Sequence, residues 1–268
     1  MAIAKPLADL VGTQLQFQLP RAAREREVKR PPELTWEVVE QLEGDSMPAT
    51  DDDLREYGQL SLVSGKFLCR QRSGDRMAFL RVDQQIPMIG TESYPAVSRA
   101  AQALQGPFET NELRALKQLT EGGCPDVPRL LGYKFEQQDA TATVPGGFKT
   151  FVLWEKVPGE SIEWSQFWSY PYAERQEIRE IFKSCFQHIV AFDYLPGFPD
   201  TTNLIYDRST KQMHISGFNN AARFRDSKVW SDGMYVTMGL VLSPPSSSDI
   251  YFPIQATDLR QDETGCRW

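Results

Sequence analysis

Two short runs near residue 210 constrain the fold of this chain more than any other feature. Asn203-Leu204-Ile205-Tyr206-Asp207 is followed by Thr210-Lys211-Gln212-Met213-His214-Ile215-Ser216-Gly217-Phe218. Together they read as a β-hairpin with a functional asparagine at one end. The hairpin follows the clearest helical pattern in the chain, Ala173–Asp193, which stops before Pro196-Gly197. There Ile178, Phe182, Cys185, Ile189 and Phe192 form one apolar stripe. A long amphipathic helix that feeds a tight hairpin predicts an α+β protein.

The upstream pattern extends this reading. Gly65–Arg72 and Arg76–Val82 read as strands joined by Ser73-Gly74-Asp75, a hairpin turn. Helices are expected over Pro95–Leu104 and Phe108–Leu119, the second ending at Gly122-Gly123. Val127–Phe135 and Thr150–Val157 read as two more strands. Residues 1–56, with their prolines and the acidic run Asp51-Asp52-Asp53, read as a peripheral extension with one short helix at Trp36–Leu42. The spacing therefore predicts an extension over 1–56, a β-rich lobe over 57–157 and a helical lobe over 158–268.

Charge and composition exclude several classes. A net charge of -7 leaves no basic stripe to neutralise phosphates, so a nucleic-acid role is not expected. The one basic cluster, Arg21 to Arg30, contains two glutamates and reads as a solvated linker. No apolar run is long enough to cross a bilayer, and the N-terminus lacks the long apolar stretch of a secretory signal. Four separated cysteines, none in a CxxC pair, point to reduced thiols and a cytoplasmic location. His188 and His214 are the only histidines, which leaves little scope for histidine-based metal or acid–base chemistry. His188 flanks the helix stripe and reads as a partly buried histidine.

The motifs Phe79-Leu80-Arg81-Val82, Val157-Pro158-Gly159 and Asn203-Leu-Ile-Tyr-Asp207, in this order, resemble the protein-kinase-like superfamily in its aminoglycoside-phosphotransferase branch. More narrowly they are similar to kinase-like proteins of filamentous fungi, often encoded among secondary-metabolite genes. The resemblance covers roughly residues 57–225. It implies a two-lobed α+β fold with a β-rich N-lobe and a shortened helical C-lobe. It also implies that Arg81 stands where the family's phosphate-gripping lysine stands, with Glu112 as its helix-borne partner. Phe79 occupies the position of a small residue against which the adenine packs. Thr150–Trp154 would be the fifth strand and Glu155–Gly159 the hinge.

The chain departs from that family where the chemistry is. Counting back five residues from Asn203 places Phe198 where the catalytic aspartate belongs. Gly217 stands where the metal-binding aspartate precedes Phe218. The segment between Gly58 and Gly65 lacks the GxGxxG pattern that cradles phosphates. Phosphoryl transfer rests on metal-assisted charge neutralisation and positioning, so phosphotransfer is not expected. Neither a metal nor another cofactor is called for.

Arg81, Asp200 and Asn203 are the candidate catalytic residues. Phe79, Glu112, Trp154, Phe198 and Phe218 are the candidate contacts to substrate. Each has a plainer reading. Arg81–Glu112 serves equally as a structural ion pair, Asn203 as a brace of its loop, and Asp200 as a turn residue beside Pro199. The aromatic run Trp164–Tyr172 reads as packing. Asp52-Asp53-Leu-Arg-Glu56 matches a diphosphate-binding pattern, but with no second metal motif it reads as chance.

Two functions follow. One is a pseudoenzyme whose aromatic-lined site holds a small apolar biosynthetic intermediate and promotes a cofactor-free cyclisation or pericyclic step. The other is a pseudokinase-like scaffold. A residual small-molecule phosphotransferase ranks third.

Overall fold

The computed structural model describes residues 7–20, 35–197, 199–223, 230–245 and 256–268. Phe198 and the basic cluster at Arg21 to Arg30 lie outside the described residues. The chain divides into two compact units. One comprises Met1–Glu121 and Arg129–Lys156, the other Gly122–Pro128 and Val157–Trp268.

The first unit is built on a six-stranded antiparallel sheet. In chain order its elements are β1 (Gln14–Gln16), β2 (Thr35–Met47), α1 (Asp51–Tyr57), β3 (Leu62–Gln71), β4 (Met77–Gln85), α2 (Ala96–Ala100), α3 (Asn111–Glu121), β5 (Leu130–Gln137) and β6 (Phe148–Glu155). The strand order is β1-β2-β3-β4-β6-β5. Alternation along β4 sets the two faces. Ala78, Leu80 and Val82 point into an apolar core with Phe67, Cys69, Phe151, Leu153, Trp36 and Val38, which Leu10, Leu15 and Phe17 complete. Met77, Phe79, Arg81 and Asp83 share the opposite face.

The short helix expected at Trp36–Leu42 is instead part of β2. Trp36 pairs with Gln71 and Met47 with Leu62 along the full strand. Two irregularities, between Val38 and Glu40 and between Gln41 and Glu43, each leave one residue out of register. Those residues, Val39 and Leu42, are exposed. A bulge inserts a residue and breaks the two-residue period, so the apolar spacing imitates a helix. β1 and β2 are thus sheet strands rather than a peripheral extension.

Between β2 and β3 the chain forms α1, and the segment from Gly58 to Gly65, where the resemblance places a phosphate-cradling loop, runs from the end of that helix into β3. Thr50 accepts from the Asp53 amide at 3.1 Å, and Asp53 accepts from the Thr50 amide at 2.8 Å, a reciprocal capping box. Asp51 and Asp52 occupy the same first turn and both pair with Arg55. The acidic run is therefore a helix start, where carboxylates complement the helix dipole.

The second unit carries β7 (Glu160–Ser161), α4 (Trp164–Phe167), α5 (Tyr172–Val190), β8 (Tyr194–Leu195), β9 (Leu204–Asp207), β10 (Gln212–Ile215), β11 (Ala222–Arg223) and α6 (Gly233–Thr237). The hairpin β9–β10 pairs Leu204 with Ile215 and Asp207 with Gln212. Asp207 organises the turn by accepting from the Ser209 amide at 2.9 Å, and Lys211 supplies a positive φ of 59°. The stripe of α5 is buried at Ile178, Phe182, Cys185 and Ile189, as its spacing predicts. Phe167 and Trp168 of the aromatic run are fully buried packing residues.

Among the described residues, no helix is long and apolar enough to cross a membrane.

Candidate functional site

In the first unit, β4 and α3 bring Arg81 and Glu112 together. Arg81 Nε donates to Glu112 Oε2 at 2.8 Å, and one guanidinium Nη reaches Ser64 Oγ at 3.4 Å. Cross-strand register explains the neighbours: Lys66 lies opposite Arg81, and Ser64 lies opposite Asp83. Asp83, two residues beyond Arg81 on the same face, is buried and hydrogen-bonded to Ser64. Glu112 is 4% exposed.

One guanidinium thus faces two buried carboxyls. Burial opposes the charge of Arg81, yet Glu112 and Asp83 outweigh it and hold the guanidinium above its usual range. Burial pushes the Glu112 carboxyl up; Arg81 pulls it back and Asp83 adds to the rise. Asp83 is likewise raised by burial, against its Ser64 bond and the charge of Arg81.

The same face carries an aromatic wall. Phe79 and Trp154 stand opposite each other on β4 and β6, with ring centroids 6.1 Å apart. Arg81 lies 5.9 Å from the Trp154 ring, and Lys66 Nζ lies 5.2 Å from the Phe79 ring. Both cations are within cation–π reach. Lys66 also pairs with Glu43 at 3.1 Å. Phe79 is half-buried and Trp154 is 7% exposed.

In the second unit, Asn203, Asp200, Gly217 and Phe218 gather at the base of the hairpin. The Asn203 carbonyl accepts from the Ser216 amide at 2.8 Å and from Ser216 Oγ at 3.1 Å. Gly217 has a φ of 86°, and a Cβ added there would overlap the Asn203 side chain. The glycine is required twice, by its left-handed backbone and by the close approach of Asn203. Phe218 is buried and opens the short helical turn Phe218–Asn220.

Asp200 is exposed and caps the turn Thr201–Asn203, accepting from the Thr202 amide at 2.8 Å. This is the plainer of its two readings. His188 differs from its reading as a partly buried histidine. Its side chain is 56% exposed, and Nδ1 sits 2.6 Å from Asp126 Oδ2.

Sequence reasoning missed Asp83, Ser64 and Lys66. The signal was available for Asp83, which shares the strand parity of Arg81; Ser64 and Lys66 required the register of the hairpin. Among the described residues, no group of three or more His, Cys, Asp or Glu is placed to hold a metal ion.

These features define the chain as a mixed α+β protein with a β-rich unit that carries a buried Arg–Glu pair. No family model matches the sequence, and no curated protein matches it. A solved structure that does match is the kinase PK-1 of the Cydia pomonella granulovirus, with 9% identity and a TM-score of 0.42. The match covers 73% of this chain and 55% of that one, so the chain spans about half the length of that kinase. A likeness this distant bears on neither activity nor substrate.

Proposed function

We propose that the protein is a kinase-like pseudoenzyme without phosphotransfer, one that holds a small apolar biosynthetic intermediate against the Phe79–Trp154 wall. The observation that carries this reading is Gly217, which stands where the resemblance places a metal-binding carboxylate and lies so close to the Asn203 side chain that a Cβ there has no room. Arg81, paired with Glu112 and touching Ser64, supplies a cation beside the Trp154 ring. The segment from Gly58 to Gly65, which lacks a phosphate-cradling glycine pattern and leads straight into β3, supports the same conclusion. A wall of two aromatic rings edged by a cation suits a folded apolar molecule that carries a carbonyl. Holding one conformer of such a molecule accelerates a cyclisation or pericyclic step without a cofactor. The near-complete burial of Trp154 favours a second reading, a scaffold whose aromatic face is already filled.

Thermal unfolding with magnesium ATP, and separately with a panel of terpenoid and polyketide compounds, tests the proposal. Stabilisation by the apolar compounds, lost in Phe79→Ala, is the expected result. Stabilisation by magnesium ATP would overturn it, and no response to any compound would favour the scaffold.

A further inference from the structure

The sheet of the first unit leaves part of one edge open, and the proposed function does not use it. β1 covers the outer side of β2 only from Thr35 to Glu37. The Val38 amide donates to the Thr13 carbonyl at 2.9 Å, and the Val38 carbonyl accepts from the Gly12 amide at 2.8 Å, which extends the cover to Val38. β2 runs on to Met47, and among the described residues it pairs over 39–47 with β3 alone. Every residue over 42–47 is exposed.

An unpaired strand edge turns the N–H and C=O groups of alternate residues to solvent, a template for another strand. The irregularities beside Val39 and Leu42 interrupt that template. From Glu43 to Met47 the register with Lys66 to Leu62 is unbroken. The Glu43 carbonyl accepts from Gln41 Nε2 at 3.2 Å. Among the described residues, no hydrogen bond other than those to β3 reaches 44–47. Pro48, which has no N–H, closes the stretch.

Charge selects what can pair there. Glu40, Glu43 and Asp45 lie opposite Leu68, Lys66 and Ser64, alternate residues of β3, so the three acids share one face. Glu43 is paired with Lys66 at 3.1 Å. Glu40 and Asp45 are exposed and have no ion-pair partner among the described residues. A second copy of the chain docked edge to edge would set these acids near their own equivalents, and like charges facing each other across a strand pair are destabilising. A strand with cations at alternate positions meets the opposite sign instead.

We propose that the outer edge of β2 over 43–47 is a docking edge, which takes up an extended peptide of a partner protein as one more strand, the peptide carrying lysine or arginine at alternate positions. Backbone pairing with the open N–H and C=O groups supplies the affinity, and cations set beside Glu40 and Asp45 supply the selectivity. The exposed Leu42 and Met47 side chains flank the stretch and offer apolar contact to the peptide's other residues. The edge lies wholly in the first unit, and the proposal does not rest on the function assigned to the Phe79–Trp154 wall.

The probe is a short peptide of alternating lysine and valine, blocked at both ends. Its controls are the same peptide with glutamate for lysine and the lysine peptide N-methylated along its backbone. In the full-length chain, the lysine peptide is expected to shift the backbone amide resonances over 43–47 and to slow their exchange with solvent. The glutamate peptide and the N-methylated peptide should each bind about tenfold more weakly or worse, and so should the lysine peptide to the double variant Glu40→Lys/Asp45→Lys. Unmoved amides over 43–47 would overturn the proposal. So would equal binding of the N-methylated peptide, which would leave charge alone at work, or equal binding of the glutamate peptide. A concentration-dependent shift of the same amides in the chain by itself would put a second copy on this edge and overturn the assigned partner. The peptide comparisons need no variant, so they decide the matter even if the double variant fails to fold.

Discussion

Replacing Arg81 with methionine tests whether the Arg81–Glu112–Asp83 group is held together by buried charge. Methionine keeps most of the side-chain volume and removes the guanidinium. It leaves Glu112 and Asp83, 4% and 6% exposed, without their cation. Breaking a buried pair on one side costs about 3–5 kcal/mol. A stranded carboxyl, however, takes a proton rather than stay charged. Neutralising an ordinary glutamate at pH 7 costs about 3.7 kcal/mol, at 1.36 kcal/mol per pH unit. Glu112 is already raised in the folded chain, so its own share falls below that ceiling. The expected loss is therefore about 3 kcal/mol at pH 7.

The sign of the pH dependence follows from linkage. Folded Glu112 and Asp83 both lie above their ordinary values. Their preference for the proton favours the folded state fully below the unfolded pKa values and is lost as pH rises through the folded ones. Without Arg81 both carboxyls rise further, so the deficit of the variant grows from acid to neutral pH. Toward pH 4.5 the deficit shrinks in the direction of the lost hydrogen bonds alone, about 1 kcal/mol. Urea unfolding at pH 4.5, 6 and 8 measures the deficit. Amide exchange over 62–71, 77–85 and 111–121 localises it to the first unit. The double variant Arg81→Met/Glu112→Leu should recover more than half of the loss at pH 7. A deficit under about 1 kcal/mol at pH 7, or one that does not change with pH, would refute the reasoning.

Other expectations are simpler to check. Gly217→Ala should destabilise the second unit by about 1–3 kcal/mol in urea, and Asn203→Ala in the same chain should recover part of it by vacating the overlapped space. Thr50→Ala removes the cap of α1 and should cost about 1 kcal/mol, without altering the exchange of β4. Burial raises the Cys69 and Cys185 thiols to about 12 and also raises Cys124, so in the native chain an aromatic disulfide reagent should label Cys266 fast and the other three only on unfolding.

The parts of the fold that were legible are those where one periodicity runs unbroken. The β3–β4 hairpin alternates cleanly, and α5 keeps its stripe from Ile178 to Ile189, so both were located close to their observed limits. The Arg81–Glu112 pair followed from motif order, and the structure places its partners in hydrogen-bond contact. β2 failed for a definite reason, since two irregularities give its apolar residues a helix-like spacing. Asp83 stayed hidden because an acid two residues from an arginine looks like an ordinary charged strand face. Arg175 and Arg179 were invisible for a related reason. Charged residues on an amphipathic helix are assigned to solvent, and only packing reveals that these two are interior.

The contact between Asn203 and Gly217 has an evolutionary consequence. A carboxylate at position 217 has no room unless Asn203 first turns away, and a change at Asn203 alone vacates a space that nothing fills. Placing an acid at this point of the loop therefore takes two coordinated substitutions, with a less stable chain at the intermediate step. Such pairwise epistasis works as a ratchet. Once the glycine and the asparagine have settled against each other, neither position changes readily without the other.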